Sequence, residues 1–318
     1  MKIVVLDGYA LNPGDLSWDA IKAFGEITVY DRTPKDQIVS RIVDAEIVLV
    51  NKTPISEETL AVCPSVKLIC VLATGYNIVD CDAAKKRGIP VCNVPAYGTD
   101  AVAQFTFALL LEVCHRVGLH SDSVHKGDWC RSADFCYWLT PQMELVGKTM
   151  GIIGFGRIGR AVGEIAKAFG MNVLAYNRSR CAEGEAIGQY LDLDTLLKES
   201  DVVSLHCPLT EQTQQIISSE ALQKMKDGAI LLNTARGPLI DEQAVADALR
   251  SGKLRGFAGD VVCTEPMAES NPLMGAPNCI VTPHIAWCPI ESRQKIMDCN
   301  VRSITAFLDS NPINTVNM

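Results

Sequence analysis

Short apolar runs alternate with stretches of helical period along most of the chain, and the alternation occurs as two separate sets. The first set predicts strands at Lys2–Leu6, Ile27–Tyr30, Ile47–Val50, Leu68–Leu72 and Pro90–Cys92. The second predicts strands at Thr149–Gly154, Asn172–Tyr176, Asp201–His206, Ala229–Asn233, Gly256–Val261 and Cys279–Thr282. The runs are continuously apolar rather than alternating. That suits strands buried on both faces of a parallel sheet, with helices between them. Arg157–Phe169 and Asp241–Ser251 have the helical period, and Gly252 ends the second. Between the sets, the Ala, Leu and Phe content of Thr99–Val117 predicts a long, largely buried helix. Ser121–Gln142 is polar and aromatic with no clear period, and Pro289–Leu308 reads as a helix with nowhere to pack in the second sheet.

The first strand of the second set passes into its helix through Gly151-Ile152-Ile153-Gly154-Phe155-Gly156-Arg157-Ile158-Gly159. Glycines at 154, 156 and 159 that close an apolar run and open an amphipathic one have the context in which GxGxxG means dinucleotide binding. Gly154 permits a tight turn, Gly156 admits a pyrophosphate close to the backbone, and Gly159 allows helix and strand to pack closely. The helix N-terminus then presents its amides to the anion. The simplest architecture is a discontinuous first domain, residues 1–98 plus 289–318, with a nucleotide domain at 99–288 inserted in it. Two crossings between the domains would make a hinge and a cleft.

The composition fits this picture. A length of 318 residues suggests about two domains, and 48% hydrophobic with 21% charged residues is ordinary for a globular chain. A net charge of -8 argues against nucleic acid as a partner. The 13 cysteines form no CxxC pair, so they read as reduced cytoplasmic thiols rather than a disulfide framework or metal site. The N-terminal run is expected to be a strand, not a targeting segment. Gln104 and Glu112 interrupt the longest apolar run, so no membrane span is expected.

Three residues with chemistry follow predicted strands, where open α/β sheets place their ligands. Arg236, after Leu231-Leu232-Asn233-Thr234-Ala235, suits bidentate capture of a carboxylate. The alternative for it taken alone is an arginine capping a surface turn. Glu265, in Asp260-Val261-Val262-Cys263-Thr264-Glu265-Pro266, is taken alone a solvated loop carboxylate, and His284 stands in Thr282-Pro283-His284-Ile285-Ala286. His115, His120 and His125 read as surface or interface residues, whereas His206, before Cys207-Pro208, is placed to help line the nucleotide site. A carboxylate paired with a histidine sets its tautomer and strengthens its hold on a proton.

Gly-Phe-Gly-Arg-Ile-Gly at 154–159, Asn-Thr-Ala-Arg-Gly-Pro at 233–238, Gly-Asp-Val-Val-Cys-Thr-Glu-Pro at 259–266 and Thr-Pro-His-Ile-Ala at 282–286 occur in that order. In them the chain resembles the D-isomer-specific 2-hydroxyacid dehydrogenases over essentially its whole length, and is most similar to the glycerate dehydrogenase/hydroxypyruvate reductase branch. The resemblance implies an α/β fold of two doubly wound parallel-sheet domains, a Rossmann nucleotide domain inserted in a flavodoxin-like substrate domain. It also implies a homodimer, with an arm at about 119–146 from which Phe135, Tyr137 or Trp138 reaches the partner.

The resemblance implies roles as well. Arg236 would bind the substrate carboxylate and polarise the C2 oxygen, His284 would be the general acid, and Glu265 would orient it. Cofactor contacts are expected from Gly154, Phe155, Gly156, Arg157, Ile158 and Gly159, from Cys207-Pro208, from Thr234-Ala235, and from Asp260 toward the nicotinamide carboxamide. Asn51, Lys52, Thr74, Gly75 and Tyr76 would contact substrate.

The chain departs from the NAD-type pattern at the end of the second nucleotide-domain strand. An acid there bonds the ribose hydroxyls. This chain has Asn177-Arg178-Ser179-Arg180. Asn177 removes a charge that would repel a 2′-phosphate, and Arg178 and Ser179 could bind one. NADP is therefore placed ahead of NAD, the alternative being that Asn177 still serves the ribose. Reduction of hydroxypyruvate or glyoxylate leads. Phosphite or another 2-hydroxy acid on the same scaffold, and a corepressor that binds dinucleotide but acts through protein partners, are the competing readings.

Overall fold

Every apolar run expected as a strand is one in the computed structural model, which describes residues 1–318. The chain divides into two units, Met1–Gly98 with Trp287–Met318, and Thr99–Ala286.

The first unit carries β1 (Lys2–Val5), β2 (Glu26–Val29), β3 (Ile47–Val50), β4 (Leu68–Val71) and β5 (Val91–Cys92) in the order β2-β1-β3-β4-β5, with every pairing parallel. Alternate residues of each strand go to opposite faces. Ile3, Val5, Ile47 and Leu49 pack on one side with Ile296, Met297 and Ile304 of the helix Ile290–Leu308. Val4, Val48 and Val50 pack on the other with Ile38, Ile42 and Leu60. Two covered faces explain why the strands read as unbroken apolar runs. The C-terminal helix that the second sheet could not house is a wall of the first.

The second unit carries β6 (Thr149–Ile153), β7 (Asn172–Tyr176), β8 (Gln189–Tyr190), β9 (Val202–Leu205), β10 (Ala229–Asn233), β11 (Leu254–Gly259) and β12 (Cys279–Val281). Their order is β12-β11-β10-β9-β6-β7-β8, again with parallel pairings. Met150, Ile152, Ile230 and Leu232 face the helices Thr99–His115 and Arg157–Ala168, while Ile153, Val203 and Leu231 face the opposite core. Phe155 and Phe257 are the largest fully buried side chains. Each contributes about 2–3 kcal/mol of apolar burial.

Three local departures from expectation have physical causes. β8 is a two-residue edge strand, too short to announce itself. β11 begins and ends two residues before the expected run, so Asp260 lies just past the strand, whose register with β10 shifts at its start, between Ala229 and Ile230. The long helix ends at His115, two residues short of the expected Val117, and a second helix, Val117–His125, runs into the stretch without a period, bent 56° from Thr99–His115 where Arg116 adopts φ 48°. Its apolar residues Val117, Leu119 and Val124 are exposed, so no inward stripe marks it. No single helix is long and apolar enough to cross a membrane.

Candidate active site

In the second sheet β6 is flanked by β7 on one side and β9 on the other, so the strand order reverses there. A crevice at the carboxyl ends of β6 and β9 is where such a sheet takes its ligand. Gly154 ends β6 at φ 93°, and a Cβ there would stand 2.2 Å from the backbone nitrogen of Cys207 after β9. A Cβ on Gly159 would meet the carbonyl oxygen of Gly154 at 2.2 Å. Both glycines are required sterically. Gly156 differs, with nothing within 4 Å of its Cβ position. It is the N-cap of Arg157–Ala168 and has room for a phosphate over the helix N-terminus. Phe155 turns inward and is fully buried, edge-on to Tyr190, while Arg157 is exposed and Ile158 half-buried. The turn fits a dinucleotide.

Asn177 follows β7 and braces this turn. Its Oδ1 accepts the amide of Phe155 at 3.3 Å, and its Nδ2 donates to the Ser179 carbonyl at 2.8 Å. Arg178, Ser179 and Arg180 beyond it are exposed. Cys207 is buried and Pro208 exposed. His206 accompanies them, its Nε2 2.8 Å from Ser204 Oγ, and burial pulls its pKa down to about 3.

The other candidates follow three adjacent strands. Arg236 comes after β10, Glu265 after β11 and His284 after β12. Neighbouring strands lie about 4.8 Å apart, so their ends form one row. Asn233, fully buried, shapes the first turn: its Oδ1 accepts the Ala235 amide at 3.1 Å and its Nδ2 donates to the Arg236 carbonyl at 2.9 Å. Thr234 is tied to Thr106 through their hydroxyls at 3.0 Å. Gly237 then packs on the next loop, for a Cβ there would meet the Val262 carbonyl carbon at 2.0 Å. Arg236 itself is exposed, with Nη1 donating to the Ala235 carbonyl at 2.6 Å.

Glu265 and His284 are brought together. Glu265 Oε2 lies 2.7 Å from His284 Nδ1, and Glu265 Oε1 accepts the Val262 amide at 3.3 Å. His284 has φ 56°, a conformation histidine adopts more readily than most residues but still seldom. The loop that holds it there is gathered by Asp260, which is 1% exposed. Asp260 Oδ1 accepts the Thr282 hydroxyl and the Ile285 amide (2.9 Å), and Oδ2 accepts the Ala286 amide at 2.7 Å. Three of a carboxylate's roughly four acceptor positions are thus taken by the chain itself.

Two of these supports were not foreseen from sequence. Asp260 is expected toward the nicotinamide carboxamide, and its grip on the histidine loop is not legible in the sequence. Glu242 was not singled out at all. It accepts the Cys263 amide at 2.7 Å and the Asn271 side chain at 2.9 Å, fixing the loop that carries Glu265. An acid at the N-terminus of a helix after a strand is the only signal the sequence offered.

Residues 107–286 match the model of the D-isomer specific 2-hydroxyacid dehydrogenase NAD binding domain, more than half of the chain. The chain belongs to the D-isomer specific 2-hydroxyacid dehydrogenases. This dehydrogenase is 54% identical to the hydroxypyruvate reductase of Blautia hydrogenotrophica over 100% of both chains. It is 40% identical to the glycerate dehydrogenase of Methylorubrum extorquens, over 99% of this chain and 98% of that one. Among solved structures, an acyclic imino acid reductase in complex with NADPH and D-Arg superposes with TM-score 0.85 at 33% identity, covering 99% and 100% of the two chains. The dehydrogenase is therefore an NAD(P)-dependent oxidoreductase acting on small 2-oxo and 2-hydroxy acids.

In the first unit, Asn51 is buried and Lys52 exposed at the end of β3. Thr74 donates to the Val94 carbonyl at 2.7 Å after β4, with Gly75 and Tyr76 exposed beyond it.

Proposed function

We propose that the enzyme reduces hydroxypyruvate, and glyoxylate beside it, to D-glycerate and glycolate. The 2.7 Å pairing of His284 Nδ1 with Glu265, in one row with Arg236, carries this reading. When bound, the nicotinamide supplies the hydride to C2. Arg236 binds the substrate carboxylate and polarises the C2 carbonyl. With Nδ1 engaged by the carboxylate, the proton passes to the C2 oxygen from Nε2 of His284, and returns there in the reverse reaction. Glu265 fixes the orientation of the ring. Substrate contacts from the first unit are assigned to Asn51-Lys52 and Thr74-Gly75-Tyr76.

The dinucleotide is assigned to the turn at 154–159, with Cys207-Pro208 and Thr234-Ala235 beside it. NADP(H) is favoured because Asn177 brings no negative charge, and its two hydrogen bonds are spent on Phe155 and Ser179. Arg178 and Ser179 are exposed for a 2′-phosphate. Asp260 chiefly holds the His284 loop. A nicotinamide carboxamide would share it with Thr282, Ile285 and Ala286.

The arm supports a homodimer. Phe135 and Trp138 are 88% and 70% exposed, while Tyr137 is spent on Ser123, oxygen to oxygen at 2.8 Å. Arg116 Nε, just before the arm, and Thr140 Oγ1, within it, are buried without a partner in the chain. Thirteen free cysteines support a reducing compartment, the cytoplasm.

A steady-state screen of hydroxypyruvate, glyoxylate, pyruvate and phosphite with NADPH and NADH tests the assignment. Hydroxypyruvate should give the highest kcat/KM. Pyruvate or phosphite ahead of it overturns the substrate.

A further inference from the structure

The strand order β2-β1-β3-β4-β5 reverses between β1 and β3, so the first sheet too has a switch point at its carboxyl end. The loop after β3 turns three successive amides toward one point. Asn51 N donates to Asp7 Oδ1 at 2.7 Å, and Lys52 N and Thr53 N donate to Asp7 Oδ2 at 2.6 and 2.7 Å. The Thr53 hydroxyl adds a fourth bond at 3.0 Å. Successive amides converging in this way form a nest that binds anions. Here the anion is the chain's own carboxylate, delivered from the end of β1.

Filling the nest has two consequences. A substrate carboxylate cannot use those amides, so anion capture in this unit falls to other groups. The loop is also immobilised by charge-assisted bonds, which are about twice as strong as neutral ones. Asn51 and Thr53 are buried, and Lys52 between them stays exposed with its backbone amide bonded to Asp7. A lysine on a fixed loop loses less freedom on binding than one on a mobile loop.

We propose that Asp7 is a positioning residue for substrate binding, which holds Lys52 as the cation that contacts the 2-oxo acid. The inference rests on the substrate role given above to Asn51-Lys52. It concerns the ground-state complex with the 2-oxo acid, so it governs KM for that substrate and leaves the dinucleotide alone.

The test is a double-mutant cycle on the full-length enzyme with Asp7→Asn and Lys52→Met, assayed on whichever 2-oxo acid the wild type reduces best. D7N removes the charge and turns an amide donor toward the nest. Each single variant should raise KM for the 2-oxo acid about tenfold, a loss of ~1.4 kcal/mol. The Kd for NADPH, read by fluorescence, should not move. Because Asp7 acts through Lys52, the double variant should be no worse than the poorer single one. Effects that multiply, an unchanged KM with a lowered kcat, or a K52M enzyme with normal KM would each overturn the proposal. If D7N does not fold, Thr53→Val, which removes one bond and leaves the carboxylate in place, replaces it in the cycle with an expected KM rise of about two- to threefold. A wild type that reduces no 2-oxo acid defeats the functional reading. A wild type that does, with an additive cycle, defeats only the role of Asp7.

Discussion

Glu265 Oε2 and His284 Nδ1 lie 2.7 Å apart, joined across the ends of two adjacent strands and 19 residues of chain. Both side chains keep about a third of their surface, 38% and 35%, so the pair is reachable by a small ligand as well as fixed. A positioned acid contributes about 10²–10⁴-fold to a proton transfer. His284→Ala should therefore lower kcat for the 2-oxo acid by about that factor while Kd for the dinucleotide stays near that of the wild type. Glu265→Gln keeps the shape but loses the charge, and its kcat should fall by a smaller factor. Steady-state kinetics with fluorescence titration of NADPH decide it, and an H284A enzyme with normal kcat would remove His284 from the chemistry.

Asp260 provides a separate test of how the histidine is held. Its carboxylate gathers Thr282, Ile285 and Ala286 around a residue at φ 56°, with no exposure to share the load with water. Asp260→Asn sets an amide donor against backbone donors and costs about 2–3 kcal/mol in a buried site. That cost should fall on the histidine loop, giving a kcat reduction of about 10–10²-fold and faster amide exchange at Ile285 and Ala286. Hydrogen exchange read by mass spectrometry checks the second outcome. Unchanged protection at 285–286 would show that the clamp is dispensable.

Much of this was legible in the residues because the chain repeats one physical device. Continuous apolar runs ended by turn residues mark buried parallel strands, and their carboxyl ends locate Arg236, Glu265 and His284 without any coordinates. The glycine turn was legible for the same reason, since Gly154 and Gly159 answer steric demands of the chain itself and Gly156 leaves room for a phosphate. What sequence withheld is long-range and polar. Asp7, Glu242 and Asp260 each grip backbone amides of another loop, and nothing in a carboxylate's neighbours tells which amides it will meet. The helix Val117–His125 escaped for the opposite reason: its apolar residues point away from its own core.

The adenosine end makes a prediction that a single substitution can reverse. Asn177→Asp restores an acceptor for ribose hydroxyls and repels a 2′-phosphate. The ratio of kcat/KM for NADPH over NADH should drop at least about tenfold, a modest ~1.4 kcal/mol for one charge. Arg178→Ala should lower the same ratio by weakening NADPH alone. If wild-type enzyme already prefers NADH, the assignment of Arg178 and Ser179 to a phosphate is lost.

The arm offers a test by mass. Phe135→Ala with Trp138→Ala removes the two most exposed aromatic side chains, which are enriched at interface hot spots. Sedimentation should then show a shift from dimer toward monomer, while Tyr137→Phe, which loses only its contact with Ser123, should leave the assembly intact. A wild-type chain that sediments as a monomer excludes the dimer outright.

His206 predicts how stability responds to acid. Burial against Ser204 lowers its pKa to about 3, below the value of about 6.5 it has in an unfolded chain. Between those values the unfolded chain binds a proton that the folded one refuses, so stability rises with pH across that window and falls as pH drops through it. His206→Gln has no such proton to gain. At pH 7 the variant should be less stable than the wild type, since it loses the ring and its bond to Ser204. As pH is lowered from 7 to 5, above the range where most carboxylates titrate, the wild type should lose stability faster and the gap in Tm should narrow. A gap that stays constant over that interval would mean that His206 titrates alike in both states.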